Sequence, residues 1–382
     1  MKTLILHYSS KINQDLSYQH GWVKAFKNST KFNCSFLNLA EFEIGKREIL
    51  NFKKLKNYQY LKNLIFDKYE IIILLHSTFS NACVVPRIIQ KIISLKKSYK
   101  IYFIGNEYKQ MPEKIKFTKK LKINLLVTQS HNDGVIKLYE KKLKIKVIHI
   151  PGGGLDDEIF YPMNMDRDIL VGYRTYPEPA YLGHKKRVDL YNFLKSNSIK
   201  TEDKYDISIM TKDRFNFRDW AIFLNRCKSL PSTITGSDFF YLDDKIRNQV
   251  NEYVKKQHPS KIIAIGEEDE GSLKDYNKIY QNFFKDLNTG TKLRALTGKI
   301  IEAMGTKTAN ILVDGDYGPL LIPDEHYIPL RKDFSNYEEC IEKLKDKNYF
   351  YKITESAYRL SKEKLKFTNY TDNLHKVILK LI

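Results

Sequence analysis

Five consecutive apolar residues, Ile71-Ile72-Ile73-Leu74-Leu75, stand between Glu70 and His76. A strand with one wet face alternates apolar and polar residues. This run does not alternate, so both of its faces must be covered. A parallel sheet with helices on both sides meets that condition. The surrounding sequence fits it. Strands are predicted at 3–9, 100–105, 123–129 and 145–151. Helical stretches lie between, among them 15–29, with Leu16, Trp22 and Phe26 near helical spacing, and "VVPRIIQKIISL", with Pro86 near its start. The pattern restarts after "IPGGGLDDEIFYP" (150–162). A strand at 168–174 is followed by a helix in "KKRVDLYNFLKS", a strand at 206–210 and a helix in "FRDWAIFLNRC". "KSLPSTITGSDFF" is an apolar run broken by Pro and Gly, and 243–290 is polar. A helix–strand unit with a second strand at 326–330 and a helical tail complete the chain. The fold class is α/β, with two doubly wound parallel sheets. The expected domains are a basic first unit at 1–160, a second at 161–360, and a helical tail at 361–382 packing back towards the first.

A chain of 382 residues is long enough for two such units. Cys34, Cys83, Cys227 and Cys340 are scattered, which argues against a disulfide framework or a zinc site and fits a reducing cytosol. "MKTLILHYSS" reads as a first strand rather than a signal peptide, and no apolar run approaches the roughly 18 residues of a membrane span. The expectation is therefore a cytoplasmic protein. Its charge is lopsided: 28 of the 65 basic and 13 of the 45 acidic residues lie in 1–160, so that stretch carries +15 of the net +20. "KKLKNYQYLKNL" and "PEKIKFTKKLKINLL" concentrate the excess. Such a surface suits nucleic acid, anionic lipid or an anionic substrate, and equally a merely solvated lysine-rich face. Leu, Ile and Phe among the lysines of "KKLKNYQYLKNLIF" read more simply as core than as a nucleic-acid platform, so nucleic acid is not the expected partner.

Doubly wound sheets bind ligands at the carboxyl ends of their strands. In the first unit those ends bring His7, His76, Glu107 and Gly152, Gly153 and Gly154. The three glycines either let backbone approach a phosphate or form the turn between units. In the second unit Arg174, Lys186 and Arg187, together with Gly236 and Ser237, lie near strand ends. Arginine suits forked contacts with phosphate and lysine acts as a point charge. Lys299 and Glu302, three apart on a helix that starts after Thr297 and Gly298, share a face. They are either a surface ion pair or the holders of a ribose and a phosphate beside a helix N-terminus. Asp314, Asp316 and Glu325 have no metal-ligand spacing. No GxGxxG and no Walker A motif occurs.

"KIIEAMGTKTANIL" resembles the donor-nucleotide helix and following strand of GT-B glycosyltransferases, and "IPGGGLDDEIFYP" resembles the segment joining their two domains. "NEY" (106–108), "VTQS" (127–130), "VGYR" (171–174), "WAIFLNRCKSL…TGSD" (220–238) and "DEHYIPLRKDFSNYEECIEKLKD" (324–346) are similar to a bacterial group of these enzymes associated with surface polysaccharides. The likeness spans roughly 100–350. It implies a nucleotide-diphosphate sugar as donor, a glycan or glycolipid as acceptor, and no metal or other cofactor. Glu302 would contact the ribose, and Thr297, Gly298, Lys299, Arg174, Lys186, Arg187, Gly236 and Ser237 would surround the nucleotide. Eight positions before Glu302, where the retaining members carry a glutamate that contacts the sugar, this chain has Arg294. Retention would let the leaving phosphate assist the acceptor hydroxyl. Inversion would need a base, for which Glu107 and His76 are the candidates. The basic first unit would contact the inner face of an anionic membrane. A sugar-nucleotide epimerase of the same fold, or a basic nucleic-acid-binding or DNA-modifying protein, is the alternative.

Overall fold

The computed structural model describes residues 1–9, 17–41, 55–257, 276–287 and 290–382. The chain divides into two compact units. One comprises Met1–Gly152 with Phe367–Ile382, the other Gly153–Lys366. The division thus falls at Gly152/Gly153 rather than at 160, and the returning C-terminal segment starts at Phe367 rather than 361.

The first unit is built on a parallel six-stranded sheet. Its strands are β1 (Lys2–His7), β2 (Asn33–Asn38), β3 (Ile71–Leu74), β4 (Tyr99–Phe103), β5 (Leu125–Thr128) and β6 (Lys146–His149), in the order β2-β1-β3-β4-β5-β6. The apolar run lies inside it: Ile71 to Leu74 are fully buried, which contributes about 1.5–3 kcal/mol per side chain relative to exposure. β2 has no counterpart among the predicted strands. It is an edge strand, "NCSFLN", of which only Leu37 is buried, so it lacks the apolar signal. In the helix Leu55–Phe66, Leu61 and Leu64 are buried, but Ile65 and Phe66 are exposed, contrary to the core reading of that segment. Lys114 of the basic stretch is interior: its ammonium donates to the carbonyls of Gly105, Asn106 and Lys109 at 2.6, 2.8 and 2.9 Å. The helix Phe367–Leu379 packs its Phe367 and Tyr370 rings on Trp22, with centroids 5.4 and 5.9 Å apart.

The second unit has a parallel five-stranded sheet, with β7 (Ile169–Arg174), β8 (Tyr205–Ser208), β9 (Cys227–Ser232), β12 (Ala309–Val313) and β13 (Ile328–Leu330) in the order β13-β12-β9-β7-β8. Its core gathers Val171, Leu190, Leu194, Ile311 and Ile328. β9 contains Pro231, a residue that speaks against a central strand in sequence. β9 pairs with β7 at Cys227 and Ser229, before the proline, and with β12 through Ser232. A separate antiparallel ribbon joins β10 (Thr235–Ser237) to β11 (Leu293–Ala295). Among the described residues no helix is long and apolar enough to cross a membrane.

Candidate functional site

The helix Gly298–Gly305 leads into β12, so its amino end lies at the carboxyl edge of the parallel sheet. The contact of Lys299 Nζ with the carbonyl of Arg174, the last residue of β7, at 3.5 Å places it there. Thr297 occupies the cap position, yet its hydroxyl makes no capping bond, and Oγ1 is buried without a partner. The amino end therefore keeps unused donors pointing out of the helix. Gly153 lies directly against it: a Cβ there would sit 2.4 Å from Gly298 Cα. Only a glycine allows that approach.

Glu302, one turn into this helix, is 4% exposed. Its Oε2 accepts the indole N–H of Trp220 at 2.8 Å. Lys299 lies over the Tyr173 ring at 5.8 Å, and burial, followed by the nearby Arg187 cation, pushes its ammonium down to about 7. Glu302 is buried and Lys299 half-buried, so the pair is not the exposed surface pair of the simpler reading. Tyr173 in turn donates to the carbonyl of Arg187 at 3.0 Å, and the Arg187 guanidinium stacks on Tyr176 at 4.8 Å.

Sequence reasoning missed Glu178, which is fully buried. Its Oε1 accepts the backbone N–H of Arg187 at 2.8 Å and faces His184 Nδ1 at 3.2 Å. The other ring nitrogen of His184 faces the carbonyl of Gly236 at 3.0 Å, which can only accept. Burial works against ionisation of Glu178, but His184 and Arg187 outweigh it and hold the carboxyl below its usual range. Oε2 of Glu178 is buried with no hydrogen-bond partner.

Asp238 is the second residue missed. It accepts Lys186 at 2.8 Å and Arg294 at 2.6 Å. Partial burial opposes its charge, but the neighbouring His184, Lys186 and Arg294 bring it down to about 2. Arg294, 7% exposed, also donates to the carbonyls of Ser237 and Leu293 at 2.8 and 2.9 Å. The residue at the glutamate position is thus an internal tie of the β10–β11 ribbon. Gly236 in that ribbon has φ +121°, a left-handed value, and a Cβ would meet the Leu293 carbonyl oxygen at 2.0 Å. Ser237 Oγ donates to the carbonyl of Phe239. Arg174 pairs with Asp206 and lies over Phe223 at 5.1 Å.

The second unit therefore brings Arg174, Arg187, Thr297, Gly298, Lys299 and Glu302 together, with Lys186, Gly236 and Ser237 linked through His184 and Asp238. Local sequence carries a signal for two of the missed residues: Asp238 directly follows Gly236-Ser237, and Glu178 lies between Pro177 and Pro179.

The first-unit candidates are engaged differently. Glu107 is buried, and its carboxylate accepts Thr128 Oγ1 at 2.6 Å, Tyr139 OH at 2.8 Å and the Gln129 N–H at 2.8 Å. Burial nonetheless raises its carboxyl above the usual range. His76 is buried among aromatic rings, with Phe103 at 5.3 Å and Trp22 at 6.1 Å, and burial pushes its imidazole down to about 3. The carbonyl of Gly152 accepts Trp22 Nε1 at 2.8 Å, and Gly154 is buried. Among the described residues, no three His, Cys, Asp or Glu side chains converge as a metal-holding group.

Two parallel-sheet α/β units, with a C-terminal helix returning to the first, define the GT-B fold. Solved structures with this fold match the chain over its whole length. Sucrose-phosphate synthase from Thermosynechococcus elongatus superposes with TM-score 0.53 at 8% identity, covering 100% of both chains. HepE from Anabaena, in complex with UDP and glucose, gives 0.50 at 9% identity, again over 100% of both. An alpha,alpha-trehalose-phosphate synthase (UDP-forming) from Burkholderia xenovorans, in complex with glucose-6-phosphate, gives 0.50 at 9%, covering 99% of this chain and 100% of the other. No family model and no curated protein matches the sequence.

Proposed function

We propose that this protein is a glycosyltransferase that moves a sugar from a nucleotide-diphosphate donor to a glycan or glycolipid acceptor without a metal. The observation that carries the reading is the grouping of Lys299 and Arg187 about the amino end of the 298–305 helix, with buried Glu302 one turn further in. Positive side chains beside free backbone N–H groups suit a diphosphate, and an oriented carboxylate suits a pair of ribose hydroxyls. In this reading Trp220 fixes the Glu302 rotamer. Lys299 and the helix amino end stabilise the negative charge that grows on the departing diphosphate. Retention is the favoured outcome. Glu107 is tied by three hydrogen bonds and His76 is enclosed by aromatic rings, so neither is poised to take a proton. The bond from the anomeric carbon to the phosphate oxygen breaks, the acceptor oxygen bonds to that carbon, and the hydroxyl proton passes to the leaving phosphate.

Calorimetric titration with UDP, GDP, ADP and CMP, followed by assays of donor turnover with the matching sugar nucleotides, tests this. Saturable binding of one nucleotide, weakened in Glu302→Ala, is expected. Absence of binding for all four would overturn the proposal.

A further inference from the structure

Glu178 lies between Pro177 and Pro179 in the loop that leads from β7 to the helix Lys186–Ser198. Each proline fixes its own φ, and Pro179 also biases Glu178 towards extended backbone, so the carboxylate is delivered from a stiff stretch of chain. A single tight helical turn, Ala180–Leu182, follows and ends at Gly183, whose φ of +80° is left-handed. That reversal brings His184 back to Glu178, with Nδ1 3.2 Å from Oε1. The loop is tied to the β10–β11 ribbon at two points. His184 Nε2 faces the carbonyl of Gly236 at 3.0 Å, and the backbone N–H of Asp238, just after β10, donates to the carbonyl of Leu182 at 3.0 Å.

What this loop holds is the backbone of Arg187. Lys185, at the cap position of the helix Lys186–Ser198, makes no side-chain capping bond. Glu178 supplies one from a distance: its Oε1 accepts the Arg187 N–H at 2.8 Å. Tyr173 OH donates to the carbonyl of the same residue at 3.0 Å, and Tyr176, two residues before Glu178, carries the Arg187 guanidinium on its ring at 4.8 Å. Arg187 is thus fixed at its N–H, its carbonyl and its guanidinium. It needs fixing, because the Lys299 ammonium lies over the same Tyr173 ring at 5.8 Å. Burial first and the Arg187 cation second disfavour the charge on Lys299, so the two cations repel at close range. On a loose loop they would move apart.

We infer that Glu178 is a positioning residue for the diphosphate: through its bond to the Arg187 N–H it holds that arginine beside Lys299, against their repulsion, so that both cations face one anion. This role rests on the nucleotide-diphosphate reading of the site and adds to it a residue that does not itself meet the ligand. Glu178 is fully buried, so its effect passes through Arg187. A carboxylate that only capped a helix would stabilise the fold and nothing else. One that sets Arg187 also sets the affinity for the phosphates, and leaves the nucleoside part of the ligand alone.

Calorimetric titration of the full chain with UDP, GDP and ADP, and with the nucleoside of whichever binds, tests it in wild type, Glu178→Ala, Arg187→Met and the double variant. Arg187→Met should bind the nucleoside diphosphate about 10- to 100-fold more weakly, as a charged contact to phosphate is lost. Glu178→Ala should bind it about tenfold more weakly, with nucleoside affinity within about twofold of wild type. In the double variant the two losses should not multiply, because both act through one guanidinium. Glu178→Gln keeps an oxygen for the Arg187 N–H and should bind within about threefold of wild type. Circular dichroism checks the fold. If Glu178→Ala does not fold, Glu178→Asp, whose carboxylate is drawn back by one methylene, takes its place with the same expectations. Four results would overturn the role of Glu178: unaltered diphosphate affinity in Glu178→Ala, an equal loss for the nucleoside, losses that multiply in the double variant, or a Glu178→Gln as weak as Glu178→Ala. Failure of wild type to bind any of the three nucleotides would instead overturn the reading of the site on which that role rests.

Discussion

The indole N–H of Trp220 donates to the carboxylate of Glu302 at 2.8 Å, joining residues 82 positions apart. A buried carboxylate held by a donor from a separate helix is oriented in advance, and binding need not order it. Trp220→Phe keeps the ring but removes the donor. It should lower stability by about 1–3 kcal/mol, because a buried carboxylate loses a hydrogen-bond donor, and weaken nucleotide binding about tenfold or less. Glu302→Gln should weaken binding by more than Trp220→Phe, since charge and acceptor capacity are both reduced. Calorimetry on the two variants measures the order. Equal affinity in Glu302→Gln and wild type would remove the ribose role.

Lys299 supplies a pH signature. Burial and Arg187 bring its ammonium down to about 7, so above that pH the free protein increasingly lacks this charge. A bound diphosphate would raise the value again, so binding would take up a proton. Nucleotide affinity should therefore fall as pH rises from about 7, by at most about tenfold per unit. Lys299→Met should bind more weakly and lose that dependence. Titration in buffers of different ionisation enthalpy reads the proton uptake directly.

Arg294 satisfies the carbonyls of Ser237 and Leu293 and the carboxylate of Asp238 at once. Arg294→Met should cost about 2–4 kcal/mol by urea denaturation, with the ribbon losing its internal donor. Arg294→Glu should be worse. It would face Asp238 with a second carboxylate, and that pair should be unfavourable even though Lys186 remains.

The first unit should be acid-labile. Burial pushes His76 from 6.5 to about 3, and His7 and His149 to about 4. The unfolded chain then binds more protons than the folded one between those values and about 6.5. Stability should be full above about pH 6.5 and fall as pH drops through that window. His76→Phe should flatten the slope measured by denaturant titration at several pH values. An unaltered slope would show that His76 is not enclosed as described.

Which features were legible in sequence follows from their range. Ile71 to Leu75 announced a strand covered on both faces because burial is written into consecutive residues. The helix that carries Lys299 and Glu302 was legible because a short apolar run ended by a glycine and followed by an apolar strand marks it locally. Pro231 concealed a central strand, and Asn33–Asn38 showed too few apolar residues to stand out. Ile65 and Phe66 have helical spacing suited to a core and are exposed, because spacing fixes which residues share a face but not what covers that face.

Sequence by itself determined the alternation of strands and helices, the two-unit α/β class, the basic first half and the helix at 298–305. These depend on side chains a few positions apart and on charge, which need no knowledge of the tertiary fold. Only the tertiary structure decided that Glu302 meets Trp220, that Glu178 and His184 join Arg187 to Gly236, and that Arg294 is an internal tie. Those relations arise from parallel strand pairing and crossover, which bring distant positions together and have no period in the chain.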